Sequence, residues 1–265
     1  MFEGRSVQIR LPVSKPHWTM NVVLILLIVS TTSSIFTGCS KDRSIIPDDL
    51  NAINAPTIEA ETGLSGVDAD DLKTISGYST STEEITLQAG VLIIHGTSSG
   101  GLFSVNLVQD GANDLIFNET IRFSGSTAIS IRDAAGVGSG SLQEGSAEVE
   151  IISSGDWSLS YTQEDIGATH ESDFELSGYQ DFVLPAVALD AGMYELTALN
   201  DVEFGHFSVE IIPRDGDGGL LVANTTSTEE ETYEFEVNDP GSYLNAAGLY
   251  TFVITATGDW SISLN

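Results

Sequence analysis

Apolar and polar residues alternate with a period of two along most of the chain after residue 76. In "YEFEV" Tyr233, Phe235 and Val237 alternate with Glu234 and Glu236; in "FSVEI" Phe207, Val209 and Ile211 alternate with Ser208 and Glu210. "AEVEI" repeats the scheme, with Val149 and Ile151 set between Glu148 and Glu150. One apolar face and one charged face is what a half-buried antiparallel strand needs. Turn signals separate these runs: "QDGAND" (109–114), "RDGDGG" (214–219) and "NDPGS" (238–242), where Pro then Gly suits the centre of a type II turn. No long helical period follows residue 76.

The alternating region repeats itself. "GDWSLS" at 155–160 returns as "GDWSIS" at 258–263, and Gly77-Tyr78, Leu87-x-Ala89-Gly90 and Phe103-Ser104-Val105 return in the same order as Gly178-Tyr179, Leu189-x-Ala191-Gly192 and Phe207-Ser208-Val209. Two homologous units therefore fill 77–165 and 172–265, each of a size that suits one small sandwich. Seven or eight short strands per unit predict an all-β chain of two tandem antiparallel β-sandwiches, jelly-roll or immunoglobulin-like. This region resembles the tandem modules typified by pre-peptidase C-terminal domains, on the strength of "AG" before a strand, a Gly/Asp turn after "FSV" and a closing "GDWSI". The resemblance implies an accessory module that binds or spaces and does not catalyse.

The first 76 residues follow another pattern. Arg5, Arg10 and Lys15 precede the apolar run "VVLILLIV" (22–29), and Ser/Thr then lead to "IFTGCS". This is the order of an export signal, and eight apolar residues fall well short of the roughly 20 that span a bilayer. Thr37, Gly38 and Cys39 resemble the lipobox of bacterial lipoproteins, with Phe36 where Leu is usual. The resemblance implies a signal peptide over 1–38, with acyl chains on Cys39 that hold the chain at the membrane. With Ser40 next, sorting in a host with two membranes would be to the outer one. The expected location is the bacterial cell envelope. Residues 39–76, acidic and without a sustained period, read as a flexible tether.

Charge and composition narrow the function. Nine Lys and Arg against 39 Asp and Glu give a formal charge of −30, which excludes nucleic acid as a partner. A single Cys excludes an internal disulfide and a cysteine-based zinc site. Among candidate chemistries, Asp215 and Asp217, with Asp110 and Asp114 in the first unit, raise calcium as a cofactor, although tight turns use the same residues. The Gly-rich "AGVGSGS" (135–141) has no Lys and no following helix for a phosphate, and reads as a mobile loop. His95, His170 and His206 begin no metal or catalytic spacing and read as surface or strand-edge residues. Trp157 and Trp260, at the same repeat position, alternate with Ser and share a face with Leu159 and Ile262, which makes them core anchors rather than sugar platforms. The expectation is a lipid-anchored, non-enzymatic binding or adhesion module for an envelope protein or polysaccharide. Its alternative is a structural spacer or assembly subunit.

Overall fold

The computed structural model describes residues 57–59, 72–163, 170–203, 205–238 and 244–265. Cys39, its signal and the Pro-Gly turn at 239–243 lie outside them. The chain divides into Met1–Leu50 and Asn51–Asn265, and every strand among the described residues lies in the second unit. No helix among the described residues is long and apolar enough to cross a membrane.

The first repeat contributes β2 (Lys73–Tyr78), β3 (Ser81–Leu87), β4 (Gly90–Ser98), β5 (Phe103–Gln109), β6 (Ala112–Glu119), β7 (Phe123–Ile131), β8 (Gly145–Ser153) and β9 (Asp156–Thr162). The second contributes β10 (Phe174–Tyr179), β11 (Phe182–Leu189), β12 (Gly192–Asn200), β13 (Phe207–Pro213), β14 (Leu220–Thr225), β15 (Glu231–Val237), β16 (Gly248–Ala256) and β17 (Asp259–Leu264). Sheet β2-β9-β4-β7 faces β3-β8-β5-β6, and β10-β17-β12-β15 faces β11-β16-β13-β14. Counted within either repeat, the strand orders are 1-8-3-6 and 2-7-4-5. That is the order of a jelly roll, so of the two expected topologies the chain adopts this one, twice. A short β1 (Thr57–Glu59) adds to β10 in parallel. It and the start of β2 at Lys73 both fall within the stretch read as tether.

Each sandwich closes on its own aromatic core. In the first, Phe103, Phe117 and Phe123 meet at ring-centroid distances of 5.0–6.1 Å; in the second, Trp260 lies 5.9 Å from Phe182 and 6.4 Å from Phe207. The repeat extends to irregularities: β5/β6 and β13/β14 shift register at the same place, after Val105 and after Val209. Asp110 and Gly111, both at positive φ, form the two-residue hairpin between β5 and β6.

One feature of the pairing departs from simple alternation. Ile93 and Ala128 on the outer face of the first sandwich pack against Val183, Ile212 and Val253 on the outer face of the second. The Ser126 N–H donates to the Asp181 carbonyl at 3.0 Å, and the Ser139 N–H to that of Gly216 at 3.4 Å. The Gly-rich loop is thus tied to the other sandwich, and Gly216 (φ +71°) has no room for a Cβ against the Gly90 carbonyl, 2.6 Å away. Strands covered on both faces carry unbroken apolar runs, as in "FVLPAV" (182–187) of β11.

The repeat supplies its own comparison for this junction. The covered cross-strand pair Ile93/Ala128 corresponds to Glu195/Glu234 on the open face of the second sandwich. The covered pair Val183/Val253 corresponds to Thr82/Glu150 on the open face of the first. At both pairs the covered positions are apolar and the open ones polar or charged. Val253→Glu, which installs the residue of the open face, is expected to cost about 3 kcal/mol or more, since it buries a carboxylate without a partner. Scanning calorimetry of the full chain should show one cooperative transition of the two sandwiches resolve into two. Trp260→Ala should cost about 3–5 kcal/mol in denaturant titration, as loss of a buried large aromatic does.

Candidate functional site

Two of the four candidate aspartates hold local hydrogen bonds. Asp215 Oδ1 accepts the Asp217 N–H at 3.1 Å, and Asp114 Oδ1 accepts the Ser141 hydroxyl at 2.5 Å. Among the described residues no three His, Cys, Asp or Glu side chains converge as metal ligands.

His95 is not a surface residue. It sits half-buried on the junction-facing side of β4, with Nδ1 2.9 Å from Ser126 Oγ. Ser126 is fully buried, so this Ser–His contact presents no nucleophile to a substrate. His170 is half-buried beside β11, where it bridges Val187, while His206 is exposed. Burial lowers the pKa of both His95 and His170. A cleft of about 510 Å³ opens between the Ala89–Gly90 turn and the segments 213–215 and 245–250; it holds Arg214 and Asp215 but no His and no carboxylate pair.

Both tryptophans are interior, 4% and 3% exposed, and each has two equivalent partners, a glycine and a backbone carbonyl. The Trp157 indole lies over Gly77, where an added Cβ would come within 2.8 Å of the ring, and its N–H donates to the Ser79 carbonyl at 2.8 Å. Trp260 lies over Gly178, with 2.6 Å for the same atom, and donates to Gln180 at 2.8 Å. Ser79 (φ 71°) and Gln180 (φ 62°) are both left-handed, which turns each carbonyl onto its indole. Sugar stacking on tryptophan is thereby removed.

The opposite face of the same strands is open, and it too is duplicated. Ser76 pairs with Ser158 and Tyr78 with Asp156 across β2/β9; Ser177 pairs with Ser261 and Tyr179 with Asp259 across β10/β17. Ser160 and Ser263 complete the row opposite Thr74 and Glu175. Tyr78 is 72% exposed and Tyr179 61%. Five of these six positions keep their residue between repeats. On the inner face of the same strands Ile75, Leu159 and Tyr161 become Leu176, Ile262 and Leu264, and on the outer face of the neighbouring strand Val91, Ile93, His95 and Thr97 become Met193, Glu195, Thr197 and Leu199. On the inner face only the Gly/Trp pair is kept, so the solvent-facing row persists more fully than the core and flank beside it. Over the second copy the surface is concave, a depression of about 240 Å³ floored by Ser177, Ser261, Ser263, Thr197 and Leu199. Tyr78 and Tyr179 share the repeat signal of the Trp in "GDWS", but only the pairing of the first strand with the last sets them beside Asp156 and Asp259 on an open face.

At the junction, Asp181 joins the two sandwiches and is the most perturbed acid. Burial pushes its carboxyl up to about 6 from 3.8; the Ala256 N–H that it accepts at 2.9 Å opposes the rise and the Glu119 charge adds to it. The folded state holds a proton that the unfolded chain has released between these values, so the group withdraws stability as pH rises from about 4 to 6. His95 acts with the opposite sign: neutral in the fold, it costs stability as pH falls below its ordinary 6.5. Asp181→Asn keeps the acceptor and loses the charge. The variant should exceed the parent by at most roughly 3 kcal/mol above pH 7, with the gap closing towards pH 4 in denaturant titrations.

The chain matches no protein-family model, and no curated protein is significantly similar to it. Among solved structures it is similar to that of the infectious bursal disease virus Gx strain, at 14% identity over 77% of this chain and 74% of that one, with a TM-score of 0.23. It is also similar to the PBSX exported protein XepA (8% identity, 73% and 85%, TM-score 0.22). A conserved protein of unknown function from Pseudomonas aeruginosa PAO1 follows (13% identity, 73% and 80%, TM-score 0.19). At such TM-scores these likenesses carry no argument, and the fold rests on its own strand order.

Proposed function

We propose that this chain is a lipid-anchored, non-enzymatic binding module of the bacterial cell envelope, held by acyl chains on Cys39 and presenting two jelly rolls to the exterior. The observation that carries the reading is the solvent-facing Ser/Tyr/Asp row kept in both repeats, since exposed residues that persist without a packing role point to binding. Burial of Ser126 beside His95 supports a non-catalytic role. A net charge of −30 supports the absence of nucleic acid among its partners. Two or more acyl chains are needed for firm anchorage, which one chain does not give. In a host with two membranes, Ser40 after the acylated residue favours the outer one.

The junction favours a second reading. Two sandwiches fused through an apolar contact form a stiff body suited to a spacer or an assembly subunit.

Two measurements separate these readings. Cys39→Ser should move the chain from the membrane pellet to the soluble fraction and abolish incorporation of labelled palmitate; retention of the label would remove the anchor. The full chain should bind an isolated cell-envelope fraction saturably, with binding reduced by at least about tenfold, roughly 1.4 kcal/mol, when both exposed tyrosines are replaced. Binding that ignores those tyrosines, or its absence beside a fixed envelope complex, would favour the spacer.

A further inference from the structure

We infer that the duplicated row is a pair of subsites for an uncharged polysaccharide, one on β2/β9 and one on β10/β17. This rests on the binding-module reading and names the ligand class and the residues that meet it.

The chemistry of the row selects the ligand. Each copy offers one exposed phenol ring, with an Asp directly across the strand pair and three Ser hydroxyls on the same face. A pyranose ring is amphipathic in a matching way, with an apolar C–H face ringed by hydroxyls. Tyr provides a large, stiff contact surface at low entropic cost, and a few placed polar groups then fix orientation. Asp accepts from sugar hydroxyls through charge-assisted bonds, which are stronger than neutral ones. Ser both donates and accepts, as a hydroxyl-rich ligand requires.

The alternatives fit less well. An apolar peptide or lipid would need a continuous apolar patch, and the row has one ring among hydroxyls. Polyanionic glycans are opposed by charge: Glu175 and Glu230 rim the depression over the second copy, and the chain carries −30 overall. The depression, at about 240 Å³, is smaller than a drug-sized pocket and suits one sugar unit at a time. Weak single sites are then useful because there are two. A polymer that engages both gains effective concentration for the second contact.

The row is not explained by the fold alone. The indole over glycine fixes Gly77, Gly178 and the left-handed residues, yet it makes no use of the phenol rings, which point into solvent. Tyr, Asp and three Ser are retained on an open face while Thr74 has become Glu175 in the same row and Thr97 has become Leu199 on the next strand, which separates these positions from general ancestry.

Affinity electrophoresis tests this with the full chain in non-ionic detergent, run through gels that contain a neutral β-glucan, α-glucan, mannan or galactomannan, with alginate as the polyuronate. Retardation is expected in at least one neutral gel and none in alginate. Tyr78→Ser and Tyr179→Ser should each weaken it, and the double variant should weaken it by about tenfold or more, given the loss of both stacking contacts. The double Tyr→Phe variant should keep most of it. Circular dichroism and melting should be unchanged in all four, since the rings pack against nothing in the core. Absence of retardation in every neutral gel, equal retardation in alginate, or a double serine variant that binds as well as the parent would each overturn the inference. If the chain still binds envelope saturably while no neutral glycan retards it, the ligand class fails and the binding module stands. If it binds neither, both fail.

Discussion

An indole lying on a glycine closes each sandwich, and much of the remaining structure follows from that contact. Trp157 and Trp260 reach across from the last strand of their repeat to the first, so each joins the two ends of an eight-stranded unit. The ring excludes any side chain at Gly77 and Gly178, and its N–H fastens a left-handed residue in the turn that carries the chain from the first strand to the second, in the opposite sheet. A buried indole N–H without an acceptor would be costly, so the geometry of that turn and the indole require each other. With the first and last strands pinned, the residues on their opposite side have fixed spacing and direction. A rigid strand pair is a better support for a recognition surface than a loop.

Once the inner faces are filled, the four outer faces settle how the sandwiches associate. The same strand position carries Ile93 where it is covered and Glu195 where it is open; Val253 and Glu150 repeat the contrast. Burial selects here more strongly than common origin does. Asp181 marks the limit of that rule, because its carboxyl stays at the edge of the covered region and is pushed up to about 6. Its carbonyl holds Ser126 of the first sandwich, while its carboxylate holds Ala256 of its own.

The strands were legible because their period is two and their turns carry Gly, Asp and Asn in the expected places, as at Asp110-Gly111. The repeat was legible because "GDWS" and "GY" are pinned by one interaction each. Topology was not, since alternation reports which face is buried and not which strand lies beside which; jelly-roll and immunoglobulin-like orders give the same pattern. The junction left a trace that alternation alone does not read, in runs such as "FVLPAV" where both faces are apolar. His95 was misjudged for the same reason: a polar residue between Ile94 and Gly96 looks outward-facing until a second sandwich covers that side. The candidate site was half legible, because the Trp that marks it is interior and the Tyr that forms it is one residue past the glycine.

The way the sandwiches meet also bears on why there are two of them. The contact joins unlike faces, β2-β9-β4-β7 of the first and β11-β16-β13-β14 of the second, and so it is heterologous. The faces left over are the counterparts of those two, and a copy of the same contact between molecules would propagate into an open stack. What stands there instead is Glu195 opposite Glu234 on one face and Glu84 opposite Glu148 on the other. Like charges across a strand pair cost a sheet only about 0.2–1 kcal/mol, and salt screens part of that. Burying the same carboxylates against a second molecule costs several kcal/mol per ion, which salt does not relieve. Facing carboxylates of this kind therefore oppose extension of the stack beyond the two sandwiches, and β2/β9 and β10/β17 are left as outer surface outside the apolar contact.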